Sequence, residues 1–83
     1  MNSRWYVYIL CCADDTLYTG VTTDLERRIK EHNSDNKKGA KYTRTKRPVT
    51  LAYHERCDNR SHACKREAAI KRLSRVQKLA LIG

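Results

Sequence analysis

Apolar positions along the chain fall into three short runs and three stretches with helical spacing. From Trp5 to Cys12 the sequence reads WYVYILCC, aromatic and β-branched almost throughout, which predicts a strand. Ala13 to Thr16 is turn chemistry, and LYTG from Leu17 to Gly20 predicts a second short strand, so the two form a hairpin. Thr23, Asp24, Leu25 and Glu26 match an S/T-x-x-E capping box that opens a helix running to about His32 or Asn33. Leu25 and Ile29 face inward on it, and Glu26, Arg27, Lys30 and Glu31 face outward. Val49 to Glu55 alternates Val49, Leu51 and Tyr53 with Thr50, Ala52 and His54, which predicts a third strand. Ser61 is a competent N-cap for a helix from His62 to about Leu73, with Ala63, Ile70 and Leu73 inward. The segment from Ser74 predicts a last short helix whose Val76, Leu79 and Ile82 dock on the core. The order β-β-α-β-α-α is an α+β fold, a small three-stranded antiparallel sheet flanked by helices, within one domain spanning residues 1–83.

Between the first helix and the third strand lies a polar stretch, Asn33 to Pro48, which is long for so small a domain and therefore reads as functional. It carries Lys37, Lys38, Lys41, Arg44, Lys46 and Arg47 against a single Asp35. The whole chain has 18 Lys and Arg against 9 Asp and Glu, a net charge of +9. Clustered positive charge on this scale fits a polyanion, and nucleic acid is the commonest one. No apolar run approaches the ~18 residues that a membrane span needs, and MNSRWYVYILCC lacks the pattern of an export leader. The expected location is therefore the cytoplasm, with no membrane partner. Four cysteines, Cys11, Cys12, Cys57 and Cys64, form no C-x-x-C pair, and with His62 they match no common zinc spacing. They read as small buried hydrophobes.

Three charged or polar side chains sit beside the apolar stripes of the helices: Arg28, His32 and Glu67. A buried charge must be paired or must line a wet cleft. Each also has an ordinary explanation. Arg28 can snorkel, His32 can favour a helix C-terminus, and Glu67 can pair with Lys71 one turn on. The aromatic composition weighs against those explanations, because five of six aromatic residues are tyrosine and none is phenylalanine. Tyr8 and Tyr18 fall on the two hairpin strands, where their hydroxyls can matter.

Taken in order, YVYIL at Tyr6 to Leu10, YTG at Tyr18 to Gly20 and LERRIKEH after it resemble the GIY-YIG nuclease module. AKYT at Ala40 to Thr43, KREAAIKRL at Lys65 to Leu73 and the final Lys78 to Ile82 resemble its short, stand-alone bacterial members. The likeness spans nearly the whole chain, and its one departure is Tyr6 where the first motif has glycine. The resemblance implies that Tyr8, Tyr18, Arg28, His32 and Glu67 are the catalytic residues. It also implies that Glu67 holds a single divalent cation, Mg²⁺ or Mn²⁺, and that the substrate is DNA rather than RNA.

Phosphodiester hydrolysis requires an activated water, stabilised charge on the nonbridging oxygens and help for the departing alkoxide. On this reading Tyr8 accepts the water's proton, Tyr18 orients the water, and Arg28 offers forked donors to phosphate oxygens. His32 adds a second donor to the phosphate, and the cation on Glu67 meets the leaving oxygen. Lys37, Lys38, Lys41, Arg44, Lys46 and Arg47 contact the nucleic-acid backbone, which attracts and positions without reading sequence. The expectation is a structure-directed or low-specificity endonuclease in repair or recombination, with a protein partner as a candidate for targeting. The alternatives are a non-catalytic nucleic-acid-binding accessory of the same fold, or a structural, ribosome-associated basic protein.

Overall fold

A computed structural model describes residues 4–35 and 37–83. The first three residues, on which the reading of the N-terminus partly rests, and Asn36 in the basic segment lie outside the described residues. Seven elements follow in order: β1 (Trp5–Cys11), β2 (Leu17–Thr22), α1 (Leu25–Ser34), α2 (Lys41–Arg44), β3 (Thr50–Cys57), α3 (Arg60–Lys71) and α4 (Arg75–Ile82). The predicted β-β-α-β-α-α order holds. The one-turn helix α2, inside the basic stretch, is an addition to it.

The sheet is antiparallel in the order β2-β1-β3. Val7, Tyr8, Ile9 and Leu10 of the central β1 are all buried, because helices cover both faces. Successive side chains alternate across a strand, so β1 feeds two cores. Val7 and Ile9 pack with Cys57, Ala63 and Ile70, flanked by Trp5, Tyr53, Leu81 and Ile82. Tyr8, Leu10, Cys12 and Val49 form the second core, flanked by Tyr18, Leu25, Ile29 and Leu51. Tyr6, in the position where the family motif has glycine, pairs in regular register with Thr22 and Arg56 and does not disturb the ladder. The hairpin turn is closed by Asp15 at a φ of 65°, a conformation Asp tolerates, with the Asp14 carboxylate accepting from the Thr16 N–H and O–H.

Four local expectations are corrected. The N-cap of α1 is Asp24, whose carboxylate accepts from the Arg27 N–H at 3.1 Å, not Thr23. The N-cap of α3 is Asn59, accepting from the His62 N–H at 2.8 Å, not Ser61. In both cases two cap-competent residues lie within two positions, and the chain takes the earlier or later according to where the preceding strand ends. In β3, a register shift opposite Ile9 and Leu10 pairs Tyr53 with Ile9 and Leu51 with Leu10, leaving Ala52 as the extra residue. That bulge moves Tyr53 to the opposite core from Val49 and Leu51, which simple alternation had placed together. In α4, Leu81 and Ile82 reach the core, whereas Val76 is 77% exposed and Leu79 is 44% exposed.

Thr19 is buried on β2, and its hydroxyl has no hydrogen-bond partner among the described residues. Valine has nearly the same shape without the desolvated hydroxyl. Thr19→Val is expected to raise unfolding free energy by ~1 kcal/mol, read from urea denaturation, whereas the same change at the hydrogen-bonded Thr43 lowers it.

Candidate active site

Tyr8, Tyr18, Arg28 and His32 converge where the hairpin meets α1. The Tyr8 ring crosses Gly20, its cross-strand partner, and leaves no room for a side chain there. A Cβ on Gly20 would lie 2.5 Å from the phenol oxygen. The glycine of the YTG triplet is thus the floor under the Tyr8 ring. The phenol ends 2.9 Å from Nε2 of His32, and Nδ1 of the same imidazole lies 2.8 Å from Oγ1 of Thr43. His32 is completely buried. Burial, reinforced by the positive charge of Arg28, pushes its pKa down to about 4, so the ring is neutral at physiological pH.

The sequence reading had His32 donating to a phosphate, whereas here its ring nitrogens meet Tyr8 and Thr43. Both ring nitrogens are already engaged inside the protein, and neither faces solvent. Tyr8 is likewise a neutral phenol at rest. Burial pushes its pKa up to about 12, outweighing the lowering effect of the Arg28 guanidinium beside it.

Tyr18 lies edge-on to His32, with ring centroids 5.3 Å apart, and stacks on Tyr42 at 5.7 Å and 24°. Leu25 and Ile29 seat α1 on the second core, which brings Arg28 and His32 to the hairpin. Arg28 is partly buried. Its Nη1 donates to Glu31 at 3.0 Å and to the Lys38 carbonyl at 2.5 Å, which ties the basic segment to α1. Gly39 continues that close approach, since a Cβ there would lie 2.7 Å from the carbonyl oxygens of both Glu31 and Asp35.

Glu67 comes from α3. Arg66 next to it forms a two-pronged pair with Glu55 of β3, at 2.7 and 2.8 Å, which fixes the helix against the sheet. The Tyr53 hydroxyl donates to the same Glu55 carboxylate. The Glu67 carboxylate lies 3.5 Å from Lys71 Nζ and is near enough to Tyr8 that its charge raises the phenol pKa. No group of three or more His, Cys, Asp or Glu side chains suited to a metal occurs among the described residues. A cation here would have Glu67 as its protein carboxylate, with water and substrate oxygens completing the shell, as Mg²⁺ commonly accepts. The residues fit that mode of binding.

The six cations of the basic segment divide. Lys37, Lys38, Lys41 and Arg44 are exposed. Lys46 instead pairs with Asp14 at 2.5 Å and sits 4.8 Å from the centroid of the Tyr42 ring. Arg47 donates from Nε to the His32 carbonyl at 2.6 Å and from Nη2 to the Asp35 carbonyl at 3.1 Å, closing the C-terminus of α1. These two bond within the fold, where the sequence reading had grouped them with the nucleic-acid contacts. Sequence reasoning also passed over Thr43 and Asn33. The Asn33 amide bridges α1 to Val49 through both its oxygen and its nitrogen, at 2.7 and 3.0 Å. Its signal was an amide at the end of a helix, which is too common to single out.

Among the described residues, no helix is long and apolar enough to cross a membrane. A model of the GIY-YIG catalytic domain matches residues 4–80. A UPF0213 protein of Desulfotalea psychrophila is 60% identical over 94% of this chain and 70% of its own length. Another from Syntrophus aciditrophicus is 56% identical over 96% and 91%. The solution NMR structure of a UPF0213 protein from Bacillus halodurans superposes with a TM-score of 0.60 at 44% identity, covering 95% of this chain and 82% of that one. With the family match spanning the hairpin, α1 and α3 that carry the convergent side chains, the chain belongs to the GIY-YIG family of nuclease domains, alongside the UPF0213 proteins.

Proposed function

We propose that this protein is a divalent-metal-dependent endonuclease that hydrolyses phosphodiester bonds in DNA, directed by structure or of low sequence specificity, in repair or recombination. The observation that carries the reading is the buried hydrogen bond between Tyr8 and His32, with Arg28 beside it. Any buried phenol needs a hydrogen-bond partner, and a neutral imidazole is a partner that can also take its proton.

Tyr8 takes a proton from the attacking water and relays its own phenolic proton to Nε2 of His32. A neutral imidazole is the form that can receive it. The phenol reaches this role only when local positive charge offsets its raised pKa, and Arg28 supplies part of that charge. Arg28 has donors beyond those facing Glu31 and Lys38, and they present a planar fork to the phosphate oxygens. Tyr18, held between His32 and Tyr42, orients the water. Glu67 would hold Mg²⁺ or Mn²⁺, which supplies Lewis-acid stabilisation of charge on the leaving oxygen. Lys37, Lys38, Lys41 and Arg44 grip the backbone without reading bases.

The test uses supercoiled, branched and single-stranded DNA with Mg²⁺, Mn²⁺ or EDTA. Wild-type protein is expected to cleave at least one substrate with metal and none with EDTA. Glu67→Ala is expected to lose ~100-fold or more in rate while retaining binding. Salt-sensitive binding with no cleavage of any substrate would establish the accessory, non-catalytic role instead.

A further inference from the structure

We propose that Thr43 is a positioning residue for the reaction, fixing which nitrogen of His32 carries its proton and so joining the basic segment to the proton relay. The inference rests on the nuclease reading above for its consequence, but its chemistry stands on geometry alone.

Neutral imidazole has one N–H, and the partner of each nitrogen decides where that proton sits. Thr43 is completely buried, and its hydroxyl donates to the Ala40 carbonyl at 3.0 Å. A hydroxyl has a single proton. With that proton given to Ala40, the Thr43 oxygen can only accept, and the donor 2.8 Å away is Nδ1 of His32. Nε2 therefore carries a lone pair, 2.9 Å from the Tyr8 oxygen, and accepts the phenolic proton. The chain of donation runs from Tyr8 to His32 and from His32 through Thr43 to the backbone of residue 40. With the opposite tautomer, Nε2–H would face the phenol and the relay would have no acceptor.

Thr43 occupies the third position of α2, between the exposed cations Lys41 and Arg44. Backbone phosphate bound by those two side chains bears directly on the one turn that holds the hydroxyl in place. The groups facing His32 are few: Tyr8 and Tyr18 from the hairpin, Arg28 and Glu31 from its own helix, and Thr43 and Arg47 from the basic segment. Thr43 is the one among them that touches Nδ1.

The test compares wild type, Thr43→Ser and Thr43→Val. Long-range ¹H–¹⁵N correlation spectra at neutral pH report the tautomer of His32, assigned by loss of its signals in His32→Gln. Wild type and Thr43→Ser are expected to hold the proton on Nδ1. Thr43→Val is expected to move it largely to Nε2, and nicking to fall ~100-fold, with serine restoring the rate to within a few fold. DNA binding stays at the wild-type level in all three. A wild-type His32 protonated on Nε2 overturns the proposal. So does a folded Thr43→Val that keeps the Nδ1 proton and the wild-type rate. If valine prevents folding, the wild-type tautomer and the serine variant decide. Absence of cleavage by wild type would count against the nuclease reading alone, since the tautomer is read without substrate.

Discussion

Gly20→Ala is expected to unfold the protein more readily and to abolish cleavage, although alanine is ordinarily the better residue in a strand. An added methyl would lie 2.5 Å from the Tyr8 oxygen, 2.7 Å from Cζ and 3.2 Å from Cε2. The ring cannot retreat. It is buried between β2 and the His32 imidazole, whose ring centroid lies 5.9 Å away. Overpacking of this kind typically costs ~1–3 kcal/mol. Displacing the phenol from His32 is expected to lower the cleavage rate ~100-fold or more, because proton transfer depends on hydrogen-bond geometry. Tyr8→Phe separates the two effects. It removes only the oxygen, costs ~1 kcal/mol in stability, and is expected to lose the same ~100-fold or more in rate. A double-mutant cycle supplies the decisive comparison. In a Tyr8→Ala background the stability cost of Gly20→Ala should vanish, with a coupling above ~1 kcal/mol. Equal costs in both backgrounds would mean that the glycine serves the strand and not the tyrosine.

That glycine marks how far the sequence could be read. The hairpin, the first helix and the third strand follow from apolar runs and turn residues, and the five candidate side chains follow from motif order. What escaped is whatever depends on a choice between near-equivalent partners. Asp24 and Asn59 cap the helices where Thr23 and Ser61 were equally qualified, because the end of the preceding strand decides the matter. The Ala52 bulge is one extra residue with no composition of its own, yet it sends Tyr53 and Leu51 to different cores. Lys46 and Arg47 were indistinguishable by charge from Lys37 and Lys38. Only the fold brings Asp14 and the last carbonyls of α1 within their reach. His32 was found for its position on a helix face, but its two hydrogen bonds depend on residues 24 positions earlier and 11 later.

Those hydrogen bonds carry a measurable pH dependence. The buried His32 titrates near pH 4, against an ordinary value of 6.5. Between these values the unfolded chain takes up a proton that the folded chain refuses, so stability falls as pH falls. The contribution is fully present above pH 6.5 and is lost progressively down to about pH 4. At ~1.4 kcal/mol per pKa unit, the loss amounts to ~3 kcal/mol, a large share of the ~5–15 kcal/mol that holds a small domain together. The direction follows from what surrounds the ring. Burial disfavours the imidazolium first, Arg28 and Arg47 repel it, and Glu31 alone offsets them in part. The carboxylates of Asp14, Asp35 and Glu55, all held below their usual range by donors, begin to weaken the fold only below about pH 5, so the fall between pH 6.5 and about 5 belongs to His32. Urea denaturation at half-unit steps from pH 7.5 to 5 is expected to show the start of that fall in wild type and a nearly flat profile in His32→Gln. A direct titration of the His32 ring by NMR provides the check if glutamine perturbs the fold. A ring that protonates near pH 6 would sink the assignment. At any pH below the one at which the ring protonates, the neutral acceptor for the Tyr8 proton is gone, so the acid limb of stability and the chemistry of the site stand on the same unprotonated nitrogen.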